Sequence, residues 1–118
     1  MTQRDDSVFI EHILESINAI EKFSRNIKRE NLYSNRLRRS AIVKEIEIIG
    51  EAVRNVSYQL KEKYPEIEWK KIIGTRDKLS HHYFGIDVNI VWEIVKMYIP
   101  ALKKKILEIK FDLKKDKK

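Results

Sequence analysis

Residues 41–60 read Ala41-Ile42-Val43-Lys44-Glu45-Ile46-Glu47-Ile48-Ile49-Gly50-Glu51-Ala52-Val53-Arg54-Asn55-Val56-Ser57-Tyr58-Gln59-Leu60. At the centre, Ile46-Glu47-Ile48 alternates as a strand would. Over the full stretch a longer period wins. Ala41, Ile42, Glu45, Ile49, Ala52, Val53, Val56 and Leu60 recur in steps of three and four, the spacing of a helix that buries one face.

The same period extends outward on both sides. Phe9, Ile13, Ile17 and Ile20 form an earlier stripe, and Val91, Ile94, Val95, Tyr98 and Leu102 a later one. Caps and breakers set the expected limits. Asp5 or Asp6 caps a first helix that runs to about Phe23. The polar run from Asn31 to Asn35 is turn-prone, and Asn35 opens a long second helix. That helix ends before Tyr64-Pro65, because the residue ahead of a proline disfavours the helical region. Pro65-Glu66 starts a short third helix, to about Leu79. Gly85 and Asp87 mark a turn, with Asp87 capping a fourth helix from Val88 to about Ile109 that Pro100 should kink. The expected fold is all-α, an antiparallel bundle of about four helices. Residues 1–110 form its single domain, and residues 111–118 a Lys-rich C-terminal tail. The apolar stripes are wide for one small bundle, which favours a homodimer.

With 118 residues the chain has room for one modest core. It contains no cysteine, which excludes disulfides and thiolate metal sites and suits a reducing compartment. The start, Met1-Thr2-Gln3-Arg4-Asp5-Asp6, is polar, and no apolar run is long enough for a leader or a spanning helix. The expectation is a soluble, cytoplasmic protein with no membrane contact. The formal net charge is +7, unevenly spread. Residues 25–39 hold Arg25, Lys28, Arg29, Arg36, Arg38 and Arg39 against Glu30 alone, and lysines crowd residues 103–118. Such clusters raise the local concentration of polyanions such as nucleic acid. A solvated face and a frayed tail would look the same in sequence.

The chemically dense stretch is Arg76-Asp77-Lys78-Leu79-Ser80-His81-His82-Tyr83-Phe84-Gly85-Ile86-Asp87. It gathers a permanent cation, two imidazoles and a phenol. Arg76 and His81 are five apart, about 140° around a continuous helix, and would share a cleft if the helix unwinds near Ser80. Cutting RNA without a metal needs a base for the 2′-hydroxyl, an acid for the leaving 5′-oxygen and a cation for the phosphorus-centred charge. Histidine transfers protons near neutrality, and arginine presents a planar fork to phosphate oxygens. A His–Arg set doubled across a two-fold axis would supply all three. A plainer reading also fits: histidine can cap a helix C-terminus, and Arg76 can pair with Asp77 or Glu68. His12 stands alone and reads as structural or exposed. His81 and His82 point apart with no clear third ligand, which argues against a metal.

At these residues the chain resembles the HepT-like family of HEPN proteins. Arg76, His81 and Tyr83 match its R-x4-H-x-Y motif. Ile48-Ile49-Gly50-Glu51-Ala52 is similar to its helix-two segment, and Tyr64-Pro65-Glu66-Ile67-Glu68-Trp69 to its entry to helix three. Tyr83-Phe84-Gly85-Ile86-Asp87 and Val91-Trp92 are similar to its turn and last helix. The likeness spans roughly residues 5–107. The resemblance implies a dimeric HEPN bundle acting as a metal-independent endoribonuclease with no cofactor. It also implies the toxin of a type VII toxin–antitoxin pair. It implies that Arg76 binds phosphate, that His81 is the acid–base residue, and that a minimal nucleotidyltransferase antitoxin of the MntA type transfers AMP to Tyr83. AMP there would fill the cleft and add negative charge where the RNA phosphate must sit. Glu51 is expected near the cleft as a supporting residue. Arg76 with His82 also fits the broader HEPN pattern, although only His81 sets the tyrosine at the right distance. The sequence departs from the family at Asp77, where asparagine is usual. That carboxylate could hold Arg76, orient an imidazole or repel phosphate. It keeps open an alternative, a catalytically weak HEPN subunit that docks a nucleotidyltransferase, beside a third reading as a purely structural helical dimer.

Overall fold

Helix α1 (Asp6–Phe23) starts where the Asp5 carboxylate accepts from the Ser7 N–H at 3.0 Å. Its inward face carries Ile10, Ile13, Ile17 and Ile20, all fully buried. The computed structural model describes residues 5–80 and 87–116. Within them every element is helical: α2 (Arg29–Ser34), α3 (Arg36–Asn55), α4 (Tyr58–Lys63), α5 (Trp69–Ser80), α6 (Val88–Glu93), a π-helical turn (Ile94–Tyr98) and α7 (Ile99–Asp116).

Side-chain bonds between helices give their directions. At one end of α1, the Asp6 carboxylate accepts from the Ser57 N–H at 2.9 Å and from its Oγ at 2.6 Å, just past the end of α3. At the other end, Arg38 near the start of α3 donates to the Phe23 carbonyl at 2.9 Å. Helices α1 and α3 therefore run antiparallel. Lys103 pairs with Glu21 and Lys110 with Glu11, so α7 is antiparallel to α1 as well. Tyr64 Oη donates to Asp112 Oδ2 at 2.6 Å, which ties the stretch before α5 to α7. The core lies between α1, α3 and α7, with Ile42, Val53, Ile106 and Ile109 fully buried beside the α1 isoleucines.

The all-α bundle matches the sequence reading, and four of its boundaries differ. The expected second helix is two, because the chain breaks at Val56-Ser57. The Ser57 N–H goes to Asp6 instead of into the helix ladder, and Ser57 Oγ caps α4 by accepting from the Leu60 N–H at 3.1 Å. The expected turn over Asn31–Asn35 is mostly the short helix α2. It is opened by Asn31, whose side-chain oxygen accepts from the Lys28 N–H at 2.9 Å. Residues 65 and 66 lie in a turn, and α5 begins only at Trp69.

The fourth boundary is in the last helix. Around Pro100 the ladder widens: the Ile99 N–H bonds the Ile94 carbonyl, five residues back. The wide turn carries Tyr98 off the apolar stripe to 42% exposure, and Ile99 takes the inward place at 4%. Helix α7 then continues through residues 111–116, where Leu113 packs on the core. At the end of α1, Asn26 sits at a φ of 60°, a left-handed conformation that asparagine tolerates, and turns the chain toward α2.

Two substitutions separate core from propensity. Ile17→Ala should lower unfolding free energy by about 2–5 kcal/mol in denaturant titration, because it opens a cavity against two helices. Gly74 is exposed in mid-α5, and a Cβ there would meet nothing within 4 Å. Gly74→Ala should therefore raise it by about 0.5–1 kcal/mol.

Candidate active site

Helix α5 carries the first part of the dense stretch. The Trp69 indole anchors its start: the ring is buried, and its Nε1–H donates to the Tyr64 carbonyl at 3.1 Å. Ile72 and Ile73 are half-buried against the core, and Leu79 in the last turn is buried. Position 76 is seven residues from Trp69, four from Ile72 and three from Ile73. By helical spacing it falls on the same face of α5 as these residues.

The side chains of Arg76 and Asp77 lie outside the described residues, as do His81, His82 and Tyr83 altogether. The ends of their segment are described. Leu79 fixes one end. At the other, the Asp87 carboxylate accepts from the Asn89 and Ile90 N–H groups at 3.0 and 3.4 Å, and Val88 is buried. Both flanks of residues 81–86 are thus tied to the body of the protein. Glu51 is exposed on α3, the helix against which α5 packs, and its carbonyl accepts from Asn55 Nδ2 at 2.9 Å. His12 is exposed on α1 with its ring edge-on to Phe9.

A groove that the sequence did not reveal runs along the same helix. Its volume is about 310 Å³, and its walls include Ile49 of α3, Ile72 and Thr75 of α5, Ile94 and Tyr98 of the π-turn, and Leu102 of α7. Lys71 stands at its edge. Its Nζ donates to Tyr98 Oη at 2.6 Å, lies 4.7 Å from the centre of that ring and is 3.6 Å from Glu68. The Tyr98 hydrogen bond is the main cause that lifts the Lys71 ammonium above the usual lysine range. Lys105 pairs with Glu66 at 3.5 Å across the same groove. The walls come from residues far apart in the chain, and the outward place of Tyr98 depends on the π-turn, so no periodicity pointed to it.

The two basic regions are used differently. Arg38 also donates to the Arg25 carbonyl at 2.8 Å, and Arg39 donates to the Leu32 and Tyr33 carbonyls at 2.8 and 2.9 Å. These guanidinium groups satisfy backbone carbonyls at and just beyond the ends of α1 and α2. In α7, Lys103, Lys105 and Lys110 are held by glutamates. No helix of the described residues is long and apolar enough to cross a membrane.

Comparison with known proteins gives a consistent result. Residues 13–109 match the HepT-like family, described as ribonuclease HepT-like. A Thermococcus cleftensis protein named "Probable ribonuclease HepT" is 39% identical over 108 residues, covering 92% of this chain and 98% of that protein. A Methanocaldococcus jannaschii protein named "Putative RNase" is 40% identical over 106 residues, covering 90% of this chain and 97% of its own length. A second protein from that organism, "Gamma-glutamylcyclotransferase and putative RNase", is 39% identical over 98% of this chain, which spans only 52% of that relative. No solved structure matches.

The cap at Asp87 is the described anchor closest to the dense stretch on its C-terminal side. Asp87→Ala should destabilise the fold by about 1 kcal/mol, and Asp87→Asn by much less, since asparagine also caps. Thermal unfolding of the two variants beside the parent measures the difference.

Proposed function

Because the chain belongs to the HepT-like family of ribonucleases, we propose that it is an endoribonuclease that cuts RNA without a metal ion, with Arg76 and His81 as its catalytic residues. The family match over residues 13–109 carries this reading, since it spans α1 to most of α7 and includes Arg76, His81 and Tyr83. The place of residue 76 on the α5 face shared with Trp69, Ile72 and Ile73, and the tied flanks of residues 81–86, support it.

The chemistry follows from the residue types. One His81 imidazole takes the proton of the ribose 2′-hydroxyl. The freed oxygen attacks the adjacent phosphorus and closes a 2′,3′-cyclic phosphate. The bond to the 5′-oxygen breaks, and the imidazolium of the second subunit's matching residue protonates that oxygen. The Arg76 fork neutralises the charge that builds on the phosphoryl oxygens. The active form is a homodimer, because one subunit carries a single R-x4-H set and the reaction needs both an acid and a base. His82, Asp77 and Glu51 support the site by orienting the imidazole and the guanidinium.

The biological setting belongs to the same proposal: a cytoplasmic toxin of a type VII toxin–antitoxin pair. A minimal nucleotidyltransferase partner silences it by moving AMP from ATP onto the Tyr83 phenol with release of pyrophosphate. The added phosphate and nucleoside would occupy the space and charge that the RNA needs.

The test uses purified protein whose mass excludes an attached AMP, incubated with total RNA in EDTA. Unmodified wild type should cut, and His81→Ala and Arg76→Ala should each lose about 10²-fold or more in rate. An unmodified wild type that leaves RNA intact would end the enzyme reading in favour of a docking subunit for the nucleotidyltransferase.

A further inference from the structure

The cations of residues 25–39 fall into two groups once their contacts are known. Arg38 and Arg39 are committed to carbonyls. Arg25, Lys28, Arg29 and Arg36 are exposed, and among the described residues no carboxylate pairs with any of their side chains. Arg25 and Lys28 sit in the turn between α1 and α2, Arg29 opens α2 and Arg36 opens α3, a single corner of the bundle. Tyr33 stands among them at 59% exposure. Glu30 is the one acidic residue of the stretch.

Four exposed like charges on neighbouring short elements repel one another, which does not favour the fold. A polyanion turns that repulsion into attraction. The corner also has a telling neighbour. Helix α2 packs against α6, which begins directly after residues 81–86. Packed helices lie about 8–10 Å apart, so the corner is about one helix width from the element into which the catalytic segment leads.

We propose that Arg25, Lys28, Arg29 and Arg36, with Tyr33, form the surface that holds single-stranded RNA beside the candidate active site. The four cations take successive phosphates, and the Tyr33 ring stacks on a base. The choice of RNA as the polyanion rests on the ribonuclease reading. An anionic membrane fits less well, because a six-residue helix carrying Tyr33, with Leu37 just beyond it, offers too little exposed apolar face to enter a bilayer.

The experiment measures binding apart from cutting, with a fluorescent single-stranded RNA whose 2′-oxygens are methylated and so cannot attack phosphorus. R25A/K28A/R29A/R36A should keep its thermal stability, bind at least about 10-fold more weakly, and flatten the plot of log affinity against log salt. Each lost phosphate contact removes roughly 0.7 from that slope. Tyr33→Ala should weaken binding about 5- to 10-fold and leave the slope unchanged. K114A/K115A, which removes charge at the far end of α1, should change affinity by no more than about 2- to 3-fold.

Wild-type affinity and slope in the quadruple variant would overturn the proposal. So would an equal loss in K114A/K115A, or patch-dependent binding to phosphatidylserine vesicles with none to RNA. Parallel cutting of ordinary RNA keeps the two claims apart. Patch-dependent binding by a wild type that cannot cut sinks the enzyme reading alone. Cutting by the quadruple variant with an unchanged KM sinks the patch alone.

Discussion

The Asp6 carboxylate takes both polar hydrogens of Ser57, and much of the arrangement depends on that double bond. It draws the start of α1 to the end of α3 and diverts the Ser57 N–H from the helical ladder. The chain therefore turns at Val56-Ser57 instead of extending one long rod to Lys63. Next to it, burial pushes the Lys61 amine below its usual range against the pull of Asp6. At the opposite end of α1 the corresponding fastening is Arg38 on the Phe23 carbonyl. Between these two ties, the buried isoleucines of α1 meet α3 and α7, and the remaining helices hang from that trio.

From this frame the candidate site inherits its position. Helix α5 is set down by Trp69 and Leu79 against α3, and α6 by Asp87 and Val88 against α2. Six residues join the two. Catalysis needs its reacting groups held in place, and the described ends on both sides of this connection are fixed.

Periodicity made the helical class legible because the stripes of α1, α3 and α7 follow 3.6-residue spacing over many turns. Caps at Asp5, Asn35 and Asp87 were legible because a short polar side chain before an apolar run has few other uses. Long-range bonds were not. Nothing near Ser57 announces a partner 51 positions away, and the break between α3 and α4 follows from that partner. The π-turn was half legible: Pro100 signalled a disturbance, but not that it would take the form of a widened turn. The arginines of residues 25–39 read as one basic run, and only their carbonyl partners divide structural from free. In the dense stretch the residue types were legible throughout, and the fold adds the fixed ends at Leu79 and Asp87.

The π-turn in the last helix bears on how such a chain can change length. Val91 before it and Ile106 after it are both fully buried, so both halves must keep their facing. In an uninterrupted α-helix, adding or removing one residue would swing everything downstream by about 100° and turn Ile106 and Ile109 to water. A wide turn absorbs one surplus residue locally, with Tyr98 displaced to the surface and the packed halves left in phase. The final helix thus has a built-in tolerance for insertion and deletion at one place, and that place borders the groove.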